Sequence, residues 1–98
     1  MNPFDLMKNM QNLQAQMQQM QAKLEQMRAS GSSGAGMVEV TVNGKMEVQS
    51  ISIAPEIVDP ADISTLEVLV AAAFNAAVKE VQDRLKSEAA SLAGGMHT

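Results

Sequence analysis

The sequence predicts an α+β fold: a long N-terminal helix, a small antiparallel sheet of two or three strands and a long C-terminal helix, in a two-layer body from which helices project. Three observations carry this reading. An apolar repeat of period 3.5 runs from Leu6 to Met27, Asn43-Gly44 separates two alternating apolar runs, and Ser64-Thr65-Leu66-Glu67 opens a wide apolar stripe.

The first element rests on Leu6, Met10, Leu13, Met17, Met20, Leu24 and Met27, spaced 4, 3, 4, 3, 4 and 3. That is the seam of a coiled coil held for three heptads. A helix from Phe4 to Ala29 spans about 39 Å at 1.5 Å per residue, which is long for so small a domain, so part of it is expected to project. With Met10, Met17 and Leu24 at the a positions, Lys23 falls at g and Arg28 at the following e. A parallel, in-register pair sets those cations against each other, which favours an antiparallel or an intramolecular partner.

Ser30-Gly31-Ser32-Ser33-Gly34-Ala35-Gly36 reads as a flexible linker over residues 30–36. A phosphate cradle is the rival reading. Such loops run from a strand into a helix, whereas this one leaves a helix for a strand.

Residues 37–53 read as a β-hairpin. A two-residue Asn43-Gly44 turn pairs Val42 with Lys45 and puts Val38, Val40, Val42, Ile51 and Ile53 on one face, expected to be core. Met46 and Val48 are then left as an apolar patch on the other face. Ala54-Pro55 stops the sheet, and the second helix is expected over 64–92, capped by Ser64 and stapled by Ile63 and Val68. Its stripe holds Leu66, Leu69, Val70, Ala73, Phe74, Ala77, Val78, Val81 and Leu85, while Ala71-Ala72-Ala73 and Ala76-Ala77 leave room for a backbone to approach closely. Residues 93–98 are expected to be a mobile tail, so 1–98 forms one domain.

Composition bounds the function. The 98 residues are 46% hydrophobic with only two aromatics, Phe4 and Phe74, so the core is thin and an oligomer is expected to supply further burial. No cysteine is present, which excludes disulfides and thiolate metal sites. No apolar run approaches the roughly 18 residues of a membrane span, and the N-terminus lacks a signal-peptide pattern, so a cytoplasmic chain is expected.

His97 is the only histidine and lies in the tail, and Asp59 and Asp62 are explained by turn and cap formation. No nucleophile with its base and no metal-ligand cluster is apparent, so neither an enzyme, a cofactor nor a small-molecule substrate is expected. Binding is the remaining class. The net charge is −4, with the acidity concentrated in the middle third and six of the seven basic residues in the flanking segments. Lys8, Lys23, Arg28, Lys79, Arg84 and Lys86 are the candidate phosphate contacts, with glutamines as uncharged donors. Against this, Glu80–Arg84 is an ordinary helical pairing, and an acidic chain does not resemble a DNA binder by composition. A prefoldin-like chaperone or adaptor, which also sets a hairpin between coiled-coil helices, is the alternative.

The order of motifs resembles one family. "LMKNMQNLQAQMQQMQAKLEQM" is followed by "GAGMVEVTVNG", "SISIAPEIV", "LEVLVAAAFNAAVKEV" and "LAGGM". Across essentially the whole chain this is similar to the YbaB/EbfC nucleoid-associated proteins, with Gly34–Gly44 and Leu66–Ala77 the most specific stretches. The resemblance implies a homodimer with projecting helices, contact with double-stranded DNA at low or modest sequence preference, and a part in nucleoid organisation and gene regulation. It places the contact on Lys8, Lys23 and Arg28, with Lys79, Arg84 and Lys86 as companions. Glu39, Ala54 and Ala76 depart from the family pattern. With so few cations the expected binding is weak and salt-sensitive.

Overall fold

The computed structural model describes residues 2–95 in backbone and residues 2–91 in side chains. Its elements are α1 (Pro3–Gln26), β1 (Ala29–Ser33), β2 (Val38–Val42), β3 (Val48–Ile53), a single 3-10 turn at Pro55–Ile57, and α2 (Ile63–Gly95). The predicted α+β arrangement is the one observed. The tail expected over residues 93–98 lies, for Met96, His97 and Thr98, outside the described residues, and α2 runs through Gly94-Gly95.

Helix α1 starts where the Asn2 side chain accepts from the Phe4 N–H at 3.2 Å, with Pro3 at the first helical position. It stops three residues before the expected Ala29, because Met27 turns extended and Ala29 is buried as the first residue of β1. The expectation of a flexible linker over 30–36 is therefore wrong for its first half. Ser30, Gly31, Ser32 and Ser33 pair with Thr41, Val40, Glu39 and Val38 as a regular antiparallel edge strand.

A glycine-serine strand is stable here because α2 lies almost on its backbone. A β-carbon on Gly31 would sit 2.3 Å from the Ala73 carbonyl oxygen and the Ala77 nitrogen. The Ser33 hydroxyl donates to the Leu69 carbonyl at 2.6 Å, fastening the other end of the strand. The small residues of α2 do admit a backbone, and that backbone is β1.

The sheet has the order β1-β2-β3, all antiparallel. The hairpin register differs from the expected one. Val38 pairs with Ile53, Val40 with Ile51 and Val42 with Val48, through an irregularity at Thr41/Val42 and a five-residue connection, Asn43–Glu47. The Asn43 side chain organises that connection: its oxygen accepts from the Lys45 and Glu47 N–H groups at 2.9 and 3.0 Å, and its amide donates to the Glu47 carboxylate at 2.9 Å. A connection held this way displaces the two-residue turn. At Val38 and Val40 the slip is four residues, an even number, so Ile51 and Ile53 keep their face; at Val42, past the irregularity, it is three.

They are nevertheless not core. Val38, Val40 and Val42 are fully buried with Ala29, Ala73, Ala77 and Val81, whereas Ile51 is 50% and Ile53 37% exposed. The reason is placement: α2 packs over β1 and β2 and leaves β3 uncovered. Met46, expected on the outer patch, instead packs against the core from the connection at φ 65°, while Val48 is exposed. The cap of α2 also sits earlier than the expected Ser64. Asp62 accepts from the Thr65 N–H at 3.3 Å and hydroxyl at 2.6 Å, leaving Ser64 and Glu67 inside the helix and Ile63 and Val68 exposed.

No residue of α1 is buried. The Cα radius of gyration is 19.8 Å, against about 13 Å for a compact chain of 100 residues, and the molecule measures 70 × 30 × 16 Å. The helix is an arm of roughly 36 Å standing off a small body.

Candidate nucleic-acid interface

Among the described residues, the contacts that hold the arm lie at its root. The Gly44 N–H donates to the Leu24 carbonyl at 2.8 Å, and a β-carbon at Gly44 would meet Leu24 at 2.9 Å. Lys45 pairs with Glu25 at 3.2 Å. Arg28 folds back so that Nη1 donates to the carbonyls of Glu25 and Met27 at 2.6 and 2.9 Å, which satisfies the C-terminal end of α1. From α2, Arg84 donates to the Arg28 carbonyl at 2.6 Å and to Glu80 at 2.8 Å.

Three of the six candidate cations thus gather at this root. Arg28 and Arg84 are linked through the Arg28 backbone, and Lys23 lines a cleft of about 350 Å³ with Ser87, Glu88 and Ser91 of α2. Lys8 stands fifteen residues farther out along α1, roughly 22 Å at the helical rise. Lys79 is paired with Asp83 at 3.3 Å, one helical turn along. Lys8, Lys23 and Lys86 make no ion pair among the described residues, whereas Lys79 and Arg84 do. The free cations therefore lie on the arm and on the last third of α2.

Lys45 belongs to the same root and was not among the sequence candidates. A tight turn would have carried it to a solvated tip, and only the docking of the five-residue connection on α1 brings it beside Glu25. A second feature was also missed. Ile53, Leu66, Val70, Ala71 and Phe74 line an apolar groove of about 500 Å³ between β3 and α2, with Glu67 at its rim. The sequence placed Ile53 in the chain's own core, so the groove had no signal of its own.

Among the described residues no group of three or more His, Cys, Asp or Glu is placed to hold a metal ion, and no helix is long and apolar enough to cross a membrane. A prefoldin-like arrangement needs two free coiled-coil arms. Here α2 packs Ala73, Ala77 and Val81 on the sheet, so that alternative loses its footing.

The chain is thus an α-β-β-β-α body with one exposed helical arm and cations spread along its helices and at the arm's root. Residues 1–96 match the YbaB/EbfC DNA-binding family, and the chain belongs to that family. It is 50% identical to a nucleoid-associated protein of Paramagnetospirillum magneticum over 93 residues, covering 95% of this chain and 87% of the relative. It is 41% identical to a nucleoid-associated protein of Caldanaerobacter subterraneus, covering 95% and 84%. An uncharacterized protein of Helicobacter pylori shares the fold, with a TM-score of 0.71 at 23% identity over 94% of this chain and 97% of that one.

Proposed function

We propose that this protein is a nucleoid-associated protein of the bacterial cytoplasm, acting as a homodimer that grips duplex DNA with low or modest sequence preference. It organises the nucleoid and thereby affects gene expression. The observation that carries the reading is the arm: a chain of a DNA-binding family here exposes a helix, α1, of which only Leu24 at the root is partly covered, and which carries Lys8 and Lys23 free of ion pairs among the described residues. Lys8, Lys23 and Lys86 are the primary phosphate contacts, and Arg28, Lys79 and Arg84 act from the root and from α2. Their carbonyl and carboxylate partners are exposed and can be exchanged for phosphate at little cost.

The groove beside β3 is the dimer surface. Its apolar lining and the small core of the single chain both favour a second copy over water. In a mobility-shift titration at about 50 mM salt, random-sequence duplex should be retarded, and the complex should weaken by a log–log slope of a few units, at roughly 0.9 per neutralised phosphate. Absence of any shift at that salt would sink the DNA reading. Melting temperature should fall on dilution, as expected of an obligate dimer. A melting point unchanged by dilution, with monomer mass, would rule out the groove as a dimer surface.

A further inference from the structure

The connection between β2 and β3 is more elaborate than joining two antiparallel strands requires. A two-residue turn does that, whereas Asn43–Glu47 uses a buried side chain to hold its own shape. Asn43 is 3% exposed, and its oxygen and amide serve the Lys45 and Glu47 N–H groups and the Glu47 carboxylate. Met46 adopts φ 65° and packs against the core. A connection pinned at both residues is a firm platform, and the root of α1 rests on it.

Two residues of the platform reach the arm. Gly44, itself buried, donates its N–H to the Leu24 carbonyl at 2.8 Å, in the last turn of α1, where helix carbonyls need partners from outside. A β-carbon at Gly44 would stand 2.9 Å from that oxygen and from Leu24 Cδ2, so only glycine lets the helix lie this close. One residue on, Lys45 reaches Glu25 at 3.2 Å. Consecutive residues of the connection therefore hold consecutive residues of the helix.

The position of that hold gives it leverage. The chain leaves α1 at Met27, which is extended. Along the helix Lys8 is about six times farther from Met27 than Leu24 is, so a displacement at Leu24 grows roughly sixfold at Lys8. Small contacts at the root thus decide where the distant cation stands.

We propose that Gly44, Lys45 and Glu25 are positioning residues that fix the direction of α1, so that Lys8 and Lys23 meet phosphates together, and that none of the three touches DNA itself. An arm already aimed gives up less freedom on binding. The use of that direction rests on the DNA reading above; the direction itself does not.

Charge separates positioning from contact. Glu25→Gln removes a negative charge from the arm, and Lys45→Gln removes a positive charge beside it. Acting on DNA as charges, the first would tighten binding and the second would loosen it. As positioning residues, both should weaken binding at about 50 mM salt by about threefold, the scale of an exposed ion pair. The log–log slope should stay that of wild type, since no phosphate contact is lost. The exchanged pair, Glu25→Lys with Lys45→Glu, should recover the affinity that either neutralisation loses, and all these variants should melt close to wild type. Tighter binding by Glu25→Gln, or a slope lower by about 0.9 in Lys45→Gln, overturns the proposal.

The direction is measured without DNA. The chain has no cysteine, so Gln11→Cys and Ser50→Cys, both at exposed positions, can carry spin labels in the full-length protein. Dilution with unlabelled chains restricts the reading to distances within one chain. The otherwise wild-type protein should give one narrow distance. Lys45→Gln and Glu25→Gln should broaden it, and Gly44→Ala should shift its mean by several ångströms. Should Gly44→Ala fail to fold, the two exposed variants still decide: distances as narrow as in wild type overturn the proposal. A wild type that retards no duplex sinks the DNA reading and the use assigned to the direction, while the distances still report whether the connection sets it.

Discussion

Strands β2 and β3 are both alternating, β-branched and antiparallel neighbours, yet β2 buries Val38, Val40 and Val42 completely while every residue of β3 is exposed. The same contrast separates the helices. Amphipathic α2 lays Ala73, Ala77 and Val81 on the sheet, whereas α1, with a cleaner seam, leaves every seam residue but Leu24 exposed. Pattern decides that an element has an apolar face; the position of its neighbours decides whether that face is consumed inside the chain. What one chain leaves unconsumed, along β3 and along α1, is where the proposed second copy and DNA are expected to meet it.

Substitutions can break this comparison at several strengths. The largest effect is expected at Gly31, where any β-carbon strikes the α2 backbone and the helix has to move off the sheet. Gly31→Ala should cost about 3 kcal/mol, the upper end for overpacking, and show as a large drop in melting temperature or loss of soluble protein. A melting curve like wild type would mean that the close approach of α2 to β1 is not what holds the body together.

The strands themselves come next. Val40→Ala should cost about 2 kcal/mol in thermal unfolding, since a fully buried side chain loses its packing and leaves a cavity. Its cross-strand partner Ile51 is half-exposed, and Ile51→Ala should cost less than about 1 kcal/mol in the single chain. If Ile51 meets a second copy, its cost should instead appear as a stronger dependence of melting on protein concentration. Equal, concentration-independent losses at the two positions would erase the distinction between the strands.

The smallest effect concerns the start of α2. The Thr65 hydroxyl, followed by its N–H and then Ser64, holds the Asp62 carboxyl below its ordinary value of 3.8. A carboxylate whose folded pKa is depressed contributes stability above the unfolded value and loses it as pH falls through the folded one. Asp62→Ala should therefore lower the melting temperature slightly at neutral pH. The gap to wild type should begin to narrow below pH 3.8 and close once pH has fallen through the lowered folded value; a gap that does not narrow would mean that the cap works without its charge.

Much of this was legible in the sequence, because three signals each had a single physical meaning. The 3.5-residue repeat could only be a helix, Val38-Glu39-Val40-Thr41-Val42 could only be a half-buried strand, and the Ala-rich stripe had to receive a close neighbour. Strand β1 was not legible, since Ala29-Ser30-Gly31-Ser32-Ser33 has the composition of a linker and is made a strand by α2 alone. The hairpin register failed for a related reason: Asn43 uses its side chain to hold a five-residue connection against α1, and its dipeptide with Gly44 mimics a tight turn. Of the candidate cations, all but Arg28 stand on the helices where the pattern put them, while Arg28 lies in the turn between α1 and β1. That Arg28 and Arg84 would bind backbone carbonyls, and that Lys45 would join them, depends on a junction between elements distant in sequence.

The central claim is that the exposed arm and its free cations contact DNA. The direct test is a salt titration of duplex binding by wild type and by Lys8→Glu/Lys23→Glu/Lys86→Glu, three exposed substitutions at groups without ion pairs among the described residues. The triple variant should keep its fold and its dimer, lose binding at about 50 mM salt by at least roughly tenfold, and show a shallower log–log slope. Wild-type affinity and slope in that variant would contradict the account and move the DNA contact off the arm.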